Sequence, residues 1–474
     1  MVERGVVAAG HPLTARAGAE VLRAGGNAVD SAVAAMLASF VAEPLLTGLG
    51  AGGYLLVAPP GEEPILLDFF VEASGRGADL ADRGPLLPVE VSFGDAVQVF
   101  HVGAASCAVF GTPAGVVAAV ERFGTAPLPE LTAPAAAMAR RGVRVNRQQA
   151  YLFSILAGIV DSAPEARARY FIDGRPAREG DLLCDPDLGD ALDRLGAEGA
   201  APFYTGDIGA AVSDWVRDRG GTLTRADLAA YQVVERAPAR VTYRGREVHT
   251  NPPPSAGGLM LANALAALAS TVGPPDPPEL VRALVAAPAV LADRLGSTTH
   301  ISVLDADGWA CAVTCTNGEG SGVVVGNTGV HMNNMMGEQE LSPDGFFAHP
   351  PGDRLPSMMA PTVVLRDGAA ELVLGSAGSS RIRSALLQVI VNAVDRGMDA
   401  QQAVDSPRLH AQDGRVYAEP GVDVAALAAA GHSIVNFRAP NLFFGGCQTV
   451  QRRAGAGGLN GGGDPRRGGA VVVV

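Results

Sequence analysis

A predicted β-hairpin between residues 296 and 316 constrains the fold more than any other feature of this sequence. A short loop leads into an apolar strand, Asp307-Gly308 supplies a turn, and a second apolar strand returns to Thr316. Thr298 begins the first strand, directly after Ser297. If the bond between them were cut, the freed α-amine of Thr298 could act as base for its own hydroxyl. A Ser-Thr-Thr sequence usually belongs to an ordinary strand. Evidence from the rest of the chain is therefore needed before Thr298 is assigned as a nucleophile.

Composition excludes several classes of protein. The 474 residues suffice for one large domain or two or three smaller ones, and 48% apolar with 18% charged residues indicates a globular chain. No lysine is present, which excludes a lysine Schiff base, a Walker A loop and a Ser-Lys dyad. A net charge of −13 argues against a nucleic-acid partner, because phosphate backbones require clustered positive charge.

The cysteines and histidines predict neither disulfides nor a metal. The five cysteines are scattered, and Cys311 and Cys315 would share one strand face, which suits a packed core. The eight histidines lack the spacing of metal ligands. We therefore expect no metal and no cofactor.

No membrane segment or signal peptide is predicted. The N-terminal apolar stretch is too short for a signal peptide. The most apolar segment, residues 28–46, is interrupted by Asp30, Glu43 and Pro44, which indicates a buried helix. A cytoplasmic protein without a membrane partner is the expectation.

Hydrophobic periodicity predicts a mixture of helices and strands. Helices are predicted over 14–24, 28–41, 112–123, 133–141, 187–195, 208–219, 259–268 and 380–395. A hairpin is predicted over 240–250 and strands over 362–365 and 371–375. The glycine-rich stretch 454–469 and the terminal valines 471–474 are predicted to be loop and tail.

The stretch Gly48–Gly53 contains G-x-G-x-x-G, the pattern of a dinucleotide-binding loop. A helix is predicted before it and a strand after it, whereas dinucleotide binding requires the reverse order. The glycines are therefore predicted to allow close backbone packing beside a buried sheet.

Nine short motifs, in this order, resemble the γ-glutamyltranspeptidase family of N-terminal-nucleophile hydrolases. They are GGNAVD at 25–30, GTPAG at 111–115, LAAYQVVER at 228–236, PPPSAGG at 252–258, TTHIS at 298–302, NN at 333–334, MAPT at 359–362, GSAGSSRI at 375–382 and DPR at 464–466. Each motif is weak alone, but together they span nearly the whole chain.

The resemblance implies an α+β fold, a four-layer αββα sandwich made as one precursor. The precursor would cut itself between Ser297 and Thr298 into a heavy fragment, 1–297, and a light fragment, 298–474, which form one catalytic unit. Thr298 would then attack a small-molecule acyl substrate, and water or an amine would accept the acyl group. An α-amine titrates at roughly 7.7–8.0, so it can serve as the base near neutral pH.

The resemblance also assigns roles around the nucleophile. Thr316 would support Thr298 by a hydrogen bond to its amine or hydroxyl. The backbone amides of Gly378 and Ser379, in a turn between a strand and a helix, would form the oxyanion hole. His300 is expected to be structural, because the chemistry of the family does not use it.

The substrate-binding residues depart from the family pattern. In family members that act on glutathione, an Arg of the heavy fragment and two adjacent Ser of the light fragment hold the α-carboxylate of the glutamyl group. Here the aligned Arg position holds Asp79, so Arg76 is the candidate replacement, and only Ser357 remains of the Ser pair.

The positions that hold the α-amino group in such members correspond here to Asn317, Met335 and Glu338. The lid-like stretch 341–354 is shorter than usual. Glutathione is therefore a doubtful substrate.

Three functions stay open at this point. The first is a working γ-glutamyl hydrolase or transferase. The second is an enzyme with the same nucleophile and another acyl substrate in a biosynthetic pathway, hydrolysing an amide or a C–C bond. The third is a homologue that does not process itself and acts as a binding protein.

Overall fold

The structure, a computed structural model, describes residues 3–92, 97–286, 298–453 and 458–474. The strands are β1 (Gly5–Ala9), β2 (Gly52–Ala58), β3 (Ile65–Phe69), β4 (Leu87–Ser92), β5 (Val97–Val102), β6 (Val143–Arg144), β7 (Phe171–Ile172), β8 (Arg175–Pro176), β9 (Leu182–Leu183), β10 (Val234–Arg236), β11 (Ala239–Tyr243), β12 (Arg246–Thr250), β13 (Thr299–Asp305), β14 (Ala310–Thr316), β15 (Val324–Val325), β16 (Val330–His331), β17 (Thr362–Arg366), β18 (Ala369–Ala377), β19 (Leu409–Gln412), β20 (Arg415–Ala418), β21 (Ser433–Asn436), β22 (Gly446–Arg452), β23 (Leu459–Gly462) and β24 (Ala470–Val473).

The helices alternate with these strands along the chain. They are α1 (Pro12–Ala24), α2 (Ala28–Ala42), α3 (Thr112–Phe123), α4 (Leu128–Arg141), α5 (Arg147–Ile155), α6 (Ala157–Val160), α7 (Pro164–Tyr170), α8 (Pro186–Glu198), α9 (Ala201–Tyr204), α10 (Asp207–Arg217), α11 (Arg225–Ala230), α12 (Ala256–Leu268), α13 (Pro277–Ala286), α14 (Arg381–Val394), α15 (Ala400–Asp405) and α16 (Val424–Ala429).

Two large sheets pack face to face and form the middle of the molecule. The first sheet has the order β10-β3-β2-β14-β13-β1-β24 and the second the order β11-β12-β17-β18-β22-β23. Strand β13 contacts both β18 and β22 across the interface. Helices α1, α2 and α3 cover the first sheet, and α12, α14 and α15 cover the second. The predicted four-layer αββα sandwich is confirmed.

Helix α2 explains how the first sheet is covered. All fifteen of its residues are buried, and most are alanine or another small or apolar residue, because the helix is packed between the sheet, its neighbour α1 and the outer helix α4. Its start is fixed by a capping box, in which Asn27 and Asp30 bond each other's backbone amides. The prediction of a buried helix here is confirmed. Among the described residues, no helix has the length and apolar character needed to cross a membrane.

The glycine-rich loop after α2 brings backbones together, as predicted. A Cβ atom at Gly50 would overlap the carbonyl oxygen of His331, and one at Gly53 would overlap that of Thr314. Residue 53 lies on β2, which pairs directly with β14. These glycines therefore let the strand beside the hairpin approach it closely.

The predicted helix over 112–123 is confirmed at both ends, and the other predicted helices agree to within a few residues. Helix α4 begins at Leu128 rather than at residue 133, because Pro134 is accommodated inside it. The prediction of a loop and tail after residue 453 is wrong. Residues Leu459–Gly462 form β23 of the second sheet, and the terminal valines form β24, which pairs with β1. That pairing joins opposite ends of the chain, so no local pattern reveals it.

Candidate functional site

A small cavity lies where β13 begins and β14 ends, at one end of the interface between the two sheets. The residues that line it are Phe70, Thr298, Thr316, Gly318, Met335, Glu338, Glu340, Leu341, Ser357, Met358, Met359, Ser379 and Ile382. Its volume is about 30 Å³, which is room for a water molecule or two.

Strand register brings Thr298 and Thr316 together. Strands β13 and β14 pair Thr299 with Cys315, so the next opposed pair is Thr298 with Thr316. Because side chains alternate along a strand, both threonines face the second sheet, on the same side as His300. Both are buried and line the cavity. Thr316 Oγ1 also accepts a hydrogen bond of 2.9 Å from the amide of Gly318. Ser297, the residue predicted to precede the cut, lies outside the described residues.

His300 holds the sheet interface together. Its two ring nitrogens lie 2.7 Å from Thr314 Oγ1 and 2.9 Å from Ser302 Oγ, and Ser302 donates to the carbonyl of Gln448 on the second sheet. The ring packs against Gly375, where a Cβ atom would overlap it. Burial lowers the pKa of His300 to about 3, so the ring is neutral. His300 does not line the cavity, and its structural role stays a prediction that these contacts support.

The turn between β18 and α14 forms the cavity wall nearest the second sheet. Gly378 has φ 117° and Ser379 has φ 51°, an uncommon conformation for a residue other than glycine. The hydroxyl of Ser379 donates to Oε2 of Glu340, and Ser379 lines the cavity with Thr298. Behind the turn, the guanidinium of Arg467 lies 3.3 Å from the position of a Cβ at Gly378. The turn predicted to form an oxyanion hole is thus at the threonine cavity.

Acidic side chains form the polar part of the cavity. Glu338 and Glu340 line it, and Glu319 lies close enough to raise the pKa of Glu338. Burial is the largest cause of that increase, which brings the pKa well above its usual range, and the charges of Glu319 and Glu340 add to it. Oε1 of Glu338 and both side-chain polar atoms of Asn317 are buried without a hydrogen-bond partner. A group that donates hydrogen bonds, such as a substrate ammonium, would satisfy Oε1 of Glu338 and Oδ1 of Asn317, whereas Nδ2 of Asn317 requires an acceptor.

The remaining wall is mostly apolar. Ser357 is buried in it, and its hydroxyl accepts from the amide of Met359 at 3.0 Å. Around it the cavity is lined by Phe70, Met335, Leu341, Met358, Met359 and Ile382. Of the residues that the structure describes, those that line the cavity include neither arginine nor histidine.

The residues predicted to replace the carboxylate clamp lie elsewhere. The guanidinium of Arg76 donates to Glu72 at 3.1 Å and packs against Gly352, and Arg76 does not line the cavity. Asp79 is exposed and caps a 3₁₀ turn by accepting from the amide of Ala81. Arg76 therefore lies outside the residues that line the cavity, and its role as the clamp stays a prediction. The backbone amide of Arg76 donates to Oδ1 of Asp227 at 2.8 Å.

Phe70 is the residue that the N-terminal part of the chain contributes to the cavity. Its ring stacks on Tyr54, with ring centroids 5.4 Å apart, and is almost fully buried. Its carbonyl oxygen accepts hydrogen bonds from Arg354 and, at 2.7 Å, from the hydroxyl of Tyr231. The side chain presented to a substrate is thus apolar and firmly held.

Several lining residues were not identified from the sequence. Glu340 could have been found, because it lies two residues after Glu338 in a motif-rich stretch. Phe70, Met358 and Ile382 carry no such signal, since apolar residues are normal in a core. Among the described residues, no group of three or more His, Cys, Asp or Glu side chains is arranged to hold a metal ion.

The chain matches known proteins over almost its entire length. A family model described as gamma-glutamyltranspeptidase matches residues 14–287 and 285–474. The acylase ACY 1 proenzyme of Pseudomonas sp. (strain SE83) is 32% identical, covering 93% of this chain and 88% of that protein. The glutathione hydrolase proenzyme of Escherichia coli (strain K12) is 30% identical, covering 86% of this chain and 81% of that protein.

Solved structures agree with these matches. The crystal structure of cephalosporin acylase from Bacillus halodurans superposes with a TM-score of 0.84 at 25% identity, covering 99% of this chain and 96% of that one. The similar proteins thus include both acylases and glutathione hydrolases.

Proposed function

The chain belongs to the γ-glutamyltranspeptidase family, whose members are self-processing hydrolases and acyltransferases, and we propose that Thr298 is its nucleophile. Cleavage between Ser297 and Thr298 would give fragments 1–297 and 298–474, held together by the two shared sheets. We further propose that the enzyme hydrolyses an amide whose acyl part is mainly apolar, in preference to the γ-glutamyl amide of glutathione.

The chemistry follows from the arrangement around Thr298. The freed α-amine takes the proton of Thr298 Oγ as the oxygen attacks the acyl carbon. The amides of Gly378 and Ser379 stabilise the oxyanion, and the ammonium returns its proton to the leaving amine. The resulting ester is then attacked by water, or by an amine in a transfer reaction, and Thr298 is regenerated.

The observation that carries the substrate proposal is the lining of the cavity. A glutamyl α-carboxylate needs a cation or several hydrogen-bond donors when it leaves water. Here Phe70, Met335, Met358 and Ile382 line the cavity together with Thr298, and its titratable groups are carboxyls, which supply no positive charge to an anion. An uncharged acyl chain fits this wall better. The similarity to acylases supports the same proposal.

A γ-glutamyl donor is the second candidate, and one observation favours it. The unpaired Oε1 of Glu338 and the unpaired amide of Asn317 could accept and donate hydrogen bonds to an amino acid head group. The similarity to glutathione hydrolases agrees with this candidate. The amide of Asn317 would be a donor to the carboxylate of that head group, which has no cation among the described residues that line the cavity.

The experiment compares acyl groups on one leaving group. Purified protein is assayed with anilides of aliphatic acids, of ω-amino acids and of γ-glutamate, and the acyl-enzyme is located by mass spectrometry. We expect acylation at Thr298 and a higher kcat/KM for the aliphatic or amino-bearing anilides. A γ-glutamyl anilide turned over with kcat/KM of about 10⁴ M⁻¹s⁻¹ or more, well above the others, would favour the second candidate. Activity in a Thr298→Ala variant would contradict both.

A further inference from the structure

A buried carboxyl on the far side of β13 contacts the residue next to the proposed nucleophile. Glu43 ends helix α2 and is only 1% exposed. Its Oε2 accepts a hydrogen bond of 2.8 Å from the hydroxyl of Thr299, and its Oε1 accepts one of 2.8 Å from the hydroxyl of Thr14 on α1. Thr299 faces the helical layer, so Glu43 lies outside the cavity and does not touch a substrate there.

The surroundings are shaped around this carboxyl. A Cβ atom at Gly10, just after β1, would lie 2.8 Å from Oε2 of Glu43 and 3.2 Å from Oγ1 of Thr299. Any larger residue at position 10 would therefore push the carboxyl away from the strand. Thus α1, α2 and the end of β1 together hold one carboxyl against the first residue of β13.

Self-cleavage makes this contact important. Before the cut, Thr298 is held by peptide bonds on both sides, but after the cut it is a chain end, and chain ends fray unless they are tied down. Thr299 then becomes the first residue whose side chain is anchored on the helical side. A displacement of about 1 Å at a reacting atom can reduce turnover by about 10²-fold.

We propose that Glu43 is a positioning residue that, through Thr299, keeps the oxygen of Thr298 in place after cleavage. This inference rests on the proposed role of Thr298 as the nucleophile. Glu43 acts in its ionised form, because both hydroxyls donate to the carboxylate. Protonation of Glu43 would make one carboxyl oxygen a donor and force one hydroxyl to turn.

Burial raises the pKa of Glu43 to about 7, partly opposed by the hydrogen bonds from Thr14 and Thr299. Three titratable groups beside the residues that hold Glu43 are neutral near this pH. Burial lowers the pKa of His11, at the start of α1, to about 4 and that of His331, near Pro44, to about 3. Burial raises the pKa of Cys315, opposite Thr299 on β14, to about 11. Of these four groups, Glu43 is the one that changes charge near neutral pH. At lower pH its protonation would weaken the hydrogen bonding that holds Thr299.

The test uses paired variants on both sides of the contact. Thr299→Val removes the hydroxyl at nearly constant shape, and we expect kcat to fall on the order of 10- to 100-fold with KM unchanged. Thr299→Ser keeps the hydroxyl and should retain turnover. Ser31→Ala is the matched control, because Ser31 donates to the carbonyl of Gly18 within the same helical layer and does not contact β13.

The pH profile separates positioning from a merely structural role. In wild type, kcat should fall steeply at low pH, because Glu43 and the α-amine of Thr298 both become protonated. Glu43→Gln should start from a lower kcat and follow a shallower, one-proton profile. A folded Thr299→Val chain that fails to cut itself, beside a Thr299→Ser chain that does, would also support the proposal, since cleavage uses the same oxygen.

The inference is overturned if Thr299→Val or Glu43→Gln cuts itself and turns over like wild type with an unchanged pH profile. It is also overturned if Ser31→Ala lowers kcat as much as they do. Should Thr299→Val fail to fold, Glu43→Gln decides. Activity in Thr298→Ala would instead remove the proposed nucleophile itself, so the two failures are distinguishable.

Discussion

The two halves of the cavity differ in how closely they follow the family pattern. The reacting half contains Thr298, Thr316 and the turn at Gly378 and Ser379, all of which were predicted from the sequence. The acyl-binding half has Phe70 and methionines where an arginine clamp was expected. Under the proposed function, one wall would support bond cleavage, while the opposite wall would select the substrate.

This contrast has a physical basis. The reacting half depends on backbone positions, namely strand register and a turn with positive φ, which change little between related chains. The acyl-binding half depends on side chains that can be exchanged without moving the backbone. An enzyme family can therefore change its substrate while keeping its nucleophile.

The largest effect is expected from Thr298→Ala. Loss of the hydroxyl should leave one uncut chain and reduce turnover by on the order of 10⁶-fold, as in hydrolases that lose their nucleophile. Intact mass and a denaturing gel check the cut, and N-terminal sequencing of the wild-type small fragment should begin Thr-Thr-His. Thr298→Ser should still cut itself. A wild-type chain that is active although uncut would contradict the assignment of Thr298 as an N-terminal nucleophile, and with it the description of the reacting half.

A smaller effect is expected from Thr316→Val. The change removes a hydroxyl opposite Thr298 while keeping the strand, so kcat should fall by about 10- to 100-fold, the equivalent of about 1.5–3 kcal/mol for a hydrogen bond to a charged group. Thr316→Ser should keep most of the activity. Equal turnover in the valine and serine variants would mean that Thr316 is only a strand residue.

The acyl-binding half is tested by Phe70→Arg. A cation at this wall should raise kcat/KM for γ-glutamyl anilide by about tenfold, through one charge-assisted hydrogen bond to the carboxylate. Asp79→Arg is the control, and it should change nothing because Asp79 is exposed. If Asp79→Arg raises kcat/KM for γ-glutamyl anilide and Phe70→Arg does not, the sequence alignment rather than the structure identifies the position of the clamp.

The smallest effect is expected from Glu338→Gln on stability. Because the pKa of Glu338 is raised by burial, the folded state favours its neutral form. Its stabilising contribution is present below the usual glutamate pKa and is lost as pH rises through the raised value. At pH 8 the variant should therefore melt on the order of 1–3 °C above wild type. At pH 4 the two proteins should melt at the same temperature. A difference in melting temperature that does not change with pH would show that ionisation of Glu338 does not destabilise the folded protein.

Much of the fold could be predicted because its signals are local. The apolar pattern and the caps of α2, and the hairpin that carries Thr298 and Thr316, are properties of neighbouring residues. The structural role of His300 was predicted by resemblance, but its partner Gly375 was not, since the two lie on different sheets. Strand β24 was missed for the same reason: it pairs with β1 across the whole length of the chain.

The candidate site divides in the same way. The sequence alone determined the strand that follows Thr298, the turn at Gly378 and Ser379, and the family to which they point. Only the tertiary structure decided that Phe70 rather than Arg76 reaches the cavity, and that Glu43 lies behind Thr299. Local patterns specify which residues form a strand or turn, whereas side chains from distant segments meet only after the sheets and helices have packed, at positions that no short stretch of sequence encodes.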